Sequence, residues 1–538
     1  MKNLYILIFL LFSTIGFSQT HEALVFFTDK ENVQASIANP IAILTQAAID
    51  RKFNQGIAID ERDVPLNETY KATVSNSPGI TVLAKSKWMN AVYVQGTQTQ
   101  IENLNDLSFV SEVEYMDSSL NANFQKAFPT DKFEIETSER VVYNYGAAEN
   151  QTQMINADYL HEQGYTGEGI IVAFMDNGYP NVLTNPAYAT LRDEGRLLGY
   201  YDFVDRVEDP TGTGTHGTHT LSNAAAILDQ QFVGTGPQAS YYLFVTEDGR
   251  QESPVEEAYW VEALERADSL GVYVTNTSLG YQAFDNPNYD YQYSDLDGQT
   301  TIGARGASHG YDKGLINVTS AGNSGANFGY VGSPGDSPGT FTVGAVDDNE
   351  NYASFSSYGP TYDGRVKPDV MAQGRSAAIV DYNGAVTTSN GTSFSSPIIA
   401  GAVASLWQAF PHRSNEVIMQ VIRESSSLYN SPTDEMGYGI PDFNEALNML
   451  IQLDIDDFKK EMLFALYPNP VVDKINVSFP NEIEKAQFTL YNVLGKKVLQ
   501  QTVTALKNQI DVSNLTSGMY IATLTSNNKT TSFKIIKE

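Results

Sequence analysis

Apolar positions change their spacing several times along this chain, and each change predicts a different kind of structure. The first run, Leu4 to Phe12, is almost wholly apolar, follows a basic start at Met1-Lys2-Asn3 and gives way to small and polar residues from Ser13 to Ser18. That order predicts a secretory signal peptide over residues 1–18, with cleavage near Ser18-Gln19. The run is too short to span a bilayer comfortably and no later segment reaches the length required, so no transmembrane helix is expected. Next, Ala23-Leu24-Val25-Phe26-Phe27 and Ala91-Val92-Tyr93-Val94 read as strands, Ile41 to Phe53 has helical periodicity, Gln98 to Leu104 reads as a helix and Val110 to Met116 as a last strand. The implied β-α-β-β-α-β order is that of a small ferredoxin-like α+β domain. From Asp117 to Glu149 the chain turns polar and irregular, which predicts an exposed linker open to cutting. Domain and linker together are assigned to residues 19–140.

Over residues 141–452 the pattern becomes α/β. Ile170 to Met175 reads as a buried strand, followed by strands at Val272 to Val274 and Ile316 to Val318 and by the apolar helix Ile398 to Ala404. Apolar runs of this kind predict a parallel sheet flanked by helices. Asp454 to Lys460 is charged, and residues 453–463 are assigned as a linker. Beyond it come short alternating strands at Lys474–Phe479, Gln487–Tyr491, Lys497–Thr504, Gln509–Val512, Met519–Leu524 and Thr531–Ile536. They predict an antiparallel β-sandwich over residues 464–538.

Composition narrows the function. At 538 residues the chain exceeds one ordinary domain. A net charge of −31 argues against a nucleic-acid partner, because phosphate binding needs basic surface. With no cysteine, disulfides, thiol nucleophiles and Cys-ligated metals are all excluded.

The chemistry centres on Asn390-Gly391-Thr392-Ser393-Phe394-Ser395-Ser396-Pro397, a small polar turn that delivers Ser393 to the mouth of an apolar helix. Unpaired N–H groups at a helix N-terminus can stabilise an oxyanion, but a Ser hydroxyl needs a base to take its proton. Two partners lie upstream. Asp176 ends a buried strand, where ligands gather in parallel sheets. His216 stands in Gly212-Thr213-Gly214-Thr215-His216-Gly217-Thr218-His219, ahead of a helix. His216 and His219, three apart, also permit a metal reading, although no further His, Cys or carboxylate cluster completes a coordination shell. His219 is expected to be structural. Asn323, in Ser320-Ala321-Gly322-Asn323, can donate an amide N–H to an oxyanion. Ser278-Leu279-Gly280 is a small-residue strand edge along which an extended chain can lie.

With Asp176, His216, Asn323 and Ser393 in this order, the chain resembles the subtilisin-like serine proteases, the subtilases. The segments that carry the resemblance are Val172 to Gly178, His216 to His219, Ser278 to Gly280, Ser320 to Asn323 and Gly391 to Ser393. Ser354 to Gly359, Val366 to Val370 and Met436 to Asp442 add to it. The resemblance implies an Asp176-His216-Ser393 triad that hydrolyses peptide bonds in protein substrates through an acyl-enzyme, with Asn323 in the oxyanion hole. It implies substrate contacts at Ser278, Leu279, Gly280 and Gly332, the last leaving a deep pocket for large apolar side chains. The N-terminal domain then reads as the chain's own inhibitory pro-domain. Phe394 and Gln373 stand where the family usually has Met and Pro, and Gln373 predicts a looser loop. Residues 281–299 form an insertion expected to overhang the cleft. Its carboxylates leave structural calcium open, although no Asp-x-Asp-x-Asp-Gly loop is present; no cofactor is required for the chemistry.

The tail resembles the C-terminal sorting domain of the type IX secretion system in Leu466 to Pro470, Leu494 to Lys496, Ser517 to Tyr520 and the terminal Lys534 and Lys537. That resemblance implies a partner in the secretion machinery and a secreted or surface-attached protein. Two other readings stand beside the protease: a catalytically inactive surface adhesion protein on a subtilase scaffold, and a metal-dependent hydrolase using His216 and His219.

Overall fold

The computed structural model describes residues 20–121, 143–325, 327–461, 464–479, 484–492, 495–526 and 529–538. The expected signal peptide, and residues 122–142 of the expected linker, lie outside them. The chain falls into two units, one ending at Leu447 and the other beginning at Asn448.

The first unit opens with β1 (Thr20–Phe27), α1 (Gln46–Asn54), β2 (Thr81–Ser86), β3 (Ala91–Thr97), α2 (Gln98–Glu102) and β4 (Val110–Tyr115). The sheet order β2-β3-β1-β4, with every pairing antiparallel, is the ferredoxin-like arrangement. Successive strand residues face opposite sides. Ala23, Val25, Phe27, Val92 and Val94 fill this domain's own core, whereas Leu24, Ala91 and Tyr93 join a cluster with Tyr259, Trp260, Val261 and Leu264 from the region that follows. The unbroken apolar run at the start of the domain thus reflects a sheet covered on both faces.

The remainder of this unit is built on a seven-stranded sheet. Its strands are β5 (Ile171–Asp176), β6 (Leu197–Asp202), β7 (Ser240–Val245), β8 (Val274–Thr277), β9 (Ile316–Ser320), β10 (Thr340–Val346) and β11 (Val370–Gln373). They stand in the order β11-β10-β9-β8-β5-β7-β6, all parallel. Helices α3 (His216–Ala225), α4 (Val255–Leu270), α5 (Ile302–Asp312) and α6 (Thr392–Ala409) pack around it. The expected looser loop at Gln373 is a correction. Its side chain accepts from Asn150 Nδ2 at 2.9 Å and donates to the Ser376 carbonyl at 3.2 Å, so it ties the loop down.

The N-terminal domain sits on α4 and α5 through charge as well as apolar contact. Arg51 and Lys52 of α1 reach Asp268, Lys52 at 2.7 Å; Lys52 also lies 3.2 Å from Asp63. Lys313, just past α5, reaches back to Asp63 at 2.7 Å and Asp60 at 2.8 Å, and Arg62 meets Asp312 at 2.9 Å. Four cations therefore face four carboxylates. The side chains of Arg51, Lys52, Asp63, Asp268 and Lys313 are almost wholly buried. A carboxylate of α4, Glu265, accepts Ser86 Oγ and the backbone N–H groups of Lys87 and Trp88 at 2.6, 2.8 and 3.0 Å.

Helix α7 (Phe443–Glu461) runs on through most of the segment expected to be a linker, which is a difference from the sequence reading. The run holds no Gly or Pro to stop it, and charge alone does not break a helix. The second unit continues with β12 (Ala465–Tyr467), β13 (Lys474–Ser478), β14 (Lys485–Asn492), β15 (Lys497–Thr504), β16 (Gln509–Asp511), β17 (Gly518–Ser526) and β18 (Lys529–Lys537). Sheets β12-β13-β16 and β15-β14-β17-β18 enclose one core that includes Ile475, Val477, Phe488, Leu490, Ile510 and Leu524. This is the expected sandwich. Among the described residues no helix is long and apolar enough to cross a membrane.

Candidate active site

Strand order reverses around β5 and β8, and crevices open at the carboxyl ends of strands where such a reversal occurs. Asp176 is the last residue of β5 and is fully buried. One carboxylate oxygen accepts the Asn177 N–H at 2.8 Å and the other accepts Thr220 Oγ1 at 3.1 Å. Both lie within reach of His216 Nδ1, at 2.9 and 3.0 Å. Thr220 follows His216 by four residues, so α3 presents both side chains to the same carboxylate.

His216 is the first residue of α3, and its side chain is 31% exposed, open to the cleft. Burial lowers the imidazole pKa, but the Asp176 carboxylate outweighs it through charge and hydrogen bonding, and the net shift is upward. The helix comes this close to β5 because of Gly217: a Cβ there would lie 2.5 Å from the Gly178 carbonyl oxygen and 2.9 Å from Asp176 Cβ. His219 lies beside the Tyr382 ring, with centroids 6.0 Å apart, and not on Asp176. Among the described residues no group of three or more His, Cys, Asp or Glu is placed to hold a metal ion.

Ser393 is the second residue of the 18-residue helix α6, entered through Gly391 at φ +152°. Its hydroxyl donates to the Ser278 carbonyl at 3.1 Å, and among the described residues it makes no hydrogen bond to His216. The Ser278 hydroxyl in turn donates to the Ser393 carbonyl at 2.9 Å. The sequence explains that second bond. Four residues on, Pro397 has no N–H to give the Ser393 carbonyl its helical partner, so the strand edge supplies one. Asn276 Nδ2 donates to Ser278 Oγ at 2.9 Å and its oxygen accepts Ser396 Oγ at 2.6 Å, closing the join between β8 and α6. The Phe394 ring packs on His216 at 5.9 Å.

Asn323 lies across the same turn. Its Oδ1 accepts both the Thr392 N–H at 2.9 Å and Thr392 Oγ1 at 3.1 Å. Two donors on one side fix the amide's orientation and turn Nδ2 away from Thr392. Beside it, Leu279 O accepts Ser320 Oγ at 3.3 Å. Just beyond Gly280, Tyr281 pairs with Ser333 in both directions, N–H to carbonyl, at 2.7 and 3.1 Å. A Cβ at Gly332 would meet the Tyr281 carbonyl oxygen at 3.2 Å. The segment 278–280, just past β8, and the segment 331–333 thus stand side by side as two walls. The arrangement offers a base held by a carboxylate, a serine at a helix N-terminus and an amide donor, all around one crevice.

The insertion at 281–299 turns toward the N-terminal domain. Tyr281, Phe284 and Tyr289 cluster with Tyr291 and with Met116, the residue after β4. Several of its carboxylates serve local turns: Asp290 accepts the Phe284 N–H, Asp295 that of Gln292, and Asp297 those of Gln299 and Thr300. Sequence reasoning missed Thr220, Thr392 and Ser333 as supporting residues. The four-residue spacing from His216 is a signal that points to Thr220; the other two carry none beyond adjacency to a motif.

Family models match three stretches of the chain. A family model described as the subtilase family matches residues 167–439. The Bacteroidota peptidase S8 propeptide domain matches residues 22–132, and the secretion system C-terminal sorting domain matches residues 465–538. Serine protease AprX of Bacillus subtilis is 29% identical over half of this chain, and the match spans 63% of its own length. Subtilisin DY of Bacillus licheniformis is 30% identical over 53% of this chain and 93% of its own. The solved structure of MycP1 with the N-terminal propeptide removed is 22% identical, covers 55% of this chain and 96% of its own, and has a TM-score of 0.45.

Proposed function

Because this chain belongs to the subtilase family of serine proteases, we propose that Asp176, His216 and Ser393 are its catalytic triad and that it hydrolyses peptide bonds in protein or peptide substrates. It is a serine endopeptidase made with a propeptide domain, and its sorting domain marks it for secretion or the cell surface. The observation that carries the proposal is the His216 imidazole gripped by buried Asp176 in the crevice where α6 presents Ser393.

In the proposed reaction, the Ser393 hydroxyl leaves the Ser278 carbonyl, turns to His216 Nε2 and attacks the scissile carbonyl carbon while His216 takes its proton. Asp176 holds Nδ1–H and stabilises the imidazolium. Asn323 Nδ2 and the Ser393 N–H, at the positive end of α6, donate to the oxyanion. His216 returns the proton to the departing amine as the carbon–nitrogen bond breaks, and water then resolves the acyl-enzyme by the same path. An extended substrate lies along Ser278, Leu279 and Gly280, and its side chain before the scissile bond enters between that edge and Gly332; a large apolar side chain suits a pocket left unfilled by glycine. The N-terminal domain, seated on α4 and α5, acts as the chain's own inhibitor until it is cut away.

The test pairs wild type with Ser393→Ala, following chain length by intact mass and cleavage of casein. Loss of the nucleophile costs about 10⁶ in turnover in subtilisin. Wild type is expected to shed the region before about residue 140 and digest casein while the variant does neither. A variant that is cut and active like wild type overturns the proposal.

A further inference from the structure

One buried carboxylate lies outside the triad yet ties a wall of the cleft to the insertion and to the start of α5. Glu257 stands in the first turn of α4 and is fully buried. Its Oε1 accepts Ser333 Oγ at 2.8 Å and the Gly303 N–H at 3.0 Å, at the start of α5. Its Oε2 accepts the Tyr291 hydroxyl. Thr301 Oγ1 lies 2.7 Å from Ser333 Oγ and, as N-cap, accepts the Ala304 N–H, which binds the same serine to the beginning of α5. Tyr291 in turn closes the insertion on itself: its N–H donates to the Gln282 carbonyl at 2.9 Å, and Gln282 Nε2 donates to the Tyr291 carbonyl at 3.2 Å.

Ser333 is the residue after Gly332, and its backbone pairs with Tyr281 at the end of the opposite wall. Burial pushes the Glu257 carboxyl pKa upward, against the pull of Tyr291, Ser333 and Gly303. Three donors converge on one buried carboxyl, and removing the acceptor leaves the Gly303 N–H and the Tyr291 hydroxyl unpaired in the interior and Ser333 Oγ with Thr301 alone. Nothing on this list touches Asp176, His216 or Ser393.

We propose that Glu257 is a positioning residue for substrate selection: by holding Ser333 on one oxygen and Tyr291 on the other, it fixes the Gly332 wall against the Tyr281 wall and so sets the width of the pocket that receives the side chain before the scissile bond. The inference rests on the protease reading and adds to it the residue that determines selectivity. Without Glu257 the 331–333 segment loses its anchor to α4 and the insertion loses its hold at Tyr291. The two walls are then joined only by the Tyr281–Ser333 backbone pair, and a large apolar side chain is no longer held more tightly than a small one.

The test uses the enzyme matured from the full chain, with two peptide anilides that differ only in Phe or Ala before the scissile bond. In Glu257→Ala the preference for Phe over Ala is expected to fall tenfold or more. The fall should come through a raised KM for the Phe substrate, with kcat changed less than threefold. Glu257→Gln, which keeps an acceptor oxygen for Ser333 and the side-chain shape, should recover most of the preference. Ser333→Ala and Tyr291→Phe, each deleting one hydroxyl, guard against a variant that fails to fold; Ser333→Ala should shift the same ratio in the same direction, and Tyr291→Phe less. Equal losses on both substrates in Glu257→Ala, or an unchanged ratio in Ser333→Ala, overturn the inference while leaving the protease reading standing. A wild-type enzyme inactive on casein and on both anilides overturns the two together.

Discussion

In the cleft, a buried carboxylate faces an imidazole that stays partly open to solvent, and the carboxylate's remaining capacity is filled by a backbone N–H and a threonine hydroxyl. Beneath the N-terminal domain, four carboxylates face four cations and the innermost of them close on one another with almost no exposure. Both regions bury charge, but for different ends. The cleft leaves one face of its pair free, so that a proton can move and charge can develop there. The docking face closes its innermost charges away from solvent, so they act through the fit of two surfaces. Losing a partner in the cleft should therefore appear as lost rate, and losing one at the docking face as lost association.

Asp176→Asn should give the largest effect, a fall in kcat/KM of about 10⁴ with little change in KM. It also has a sign in pH. His216 must be neutral to accept a proton, so activity rises with pH through its raised pKa. Without the Asp176 carboxylate only burial remains, and the acid limb of the residual profile should move to lower pH; a pH–rate series on both enzymes checks this.

At the docking face, Asp268→Ala leaves Arg51 and Lys52 buried without their shared partner. Removing one member of a buried ion pair costs about 3–5 kcal/mol. In full-length Ser393→Ala chains, hydrogen exchange in α1 should therefore speed a hundredfold or more, about the factor that energy implies. Unchanged exchange would mean that the apolar cluster around Leu24 and Tyr93 alone holds the domain. Asn323→Ala, back in the cleft, should lower kcat by about 10² to 10³ without moving the pH profile.

The smallest effect concerns Glu265. Burial pushes its pKa up to about 7, against the pull of Lys87, Ser86 and the Trp88 and Lys87 N–H groups, from an ordinary value of 4.5. A carboxyl whose pKa rises on docking takes up protons as it docks, so its contribution is fullest below 4.5 and is lost as pH climbs through about 7. The urea midpoint for release of the N-terminal domain, followed in Ser393→Ala by tryptophan emission from buried Trp88, should fall over that window. Glu265→Gln should flatten the slope.

The two regions also differ in how far they can be read from sequence. The cleft is written in short local motifs: a strand that ends at Asp176, glycines that bring His216 in, and a turn that delivers Ser393. Each was recognisable because its function demands particular small residues close by in the chain. The docking face has no such motif. Arg51 and Asp268 are far apart in sequence and neither has a distinctive neighbour, so only the fold brings them together. Glu257 was hidden for the same reason, since in the sequence it is one of two glutamates opening a helix. Strand β2 escaped notice because its pairing with β3 slips between Val82 and Ala84, which breaks the alternation that marks a half-buried strand. Composition marks residues 453–463 as a linker but does not give its conformation, and the backbone carries on as helix to Glu461.

The central claim is that Ser393 becomes a nucleophile only through His216. It is tested most directly by treating the mature enzyme with a fluorophosphonate and locating the label by mass spectrometry. The account predicts a single phosphonyl group on Ser393 in wild type, and almost none in His216→Ala at the same exposure. A label on a different serine, or equal labelling of Ser393 with and without His216, would contradict it.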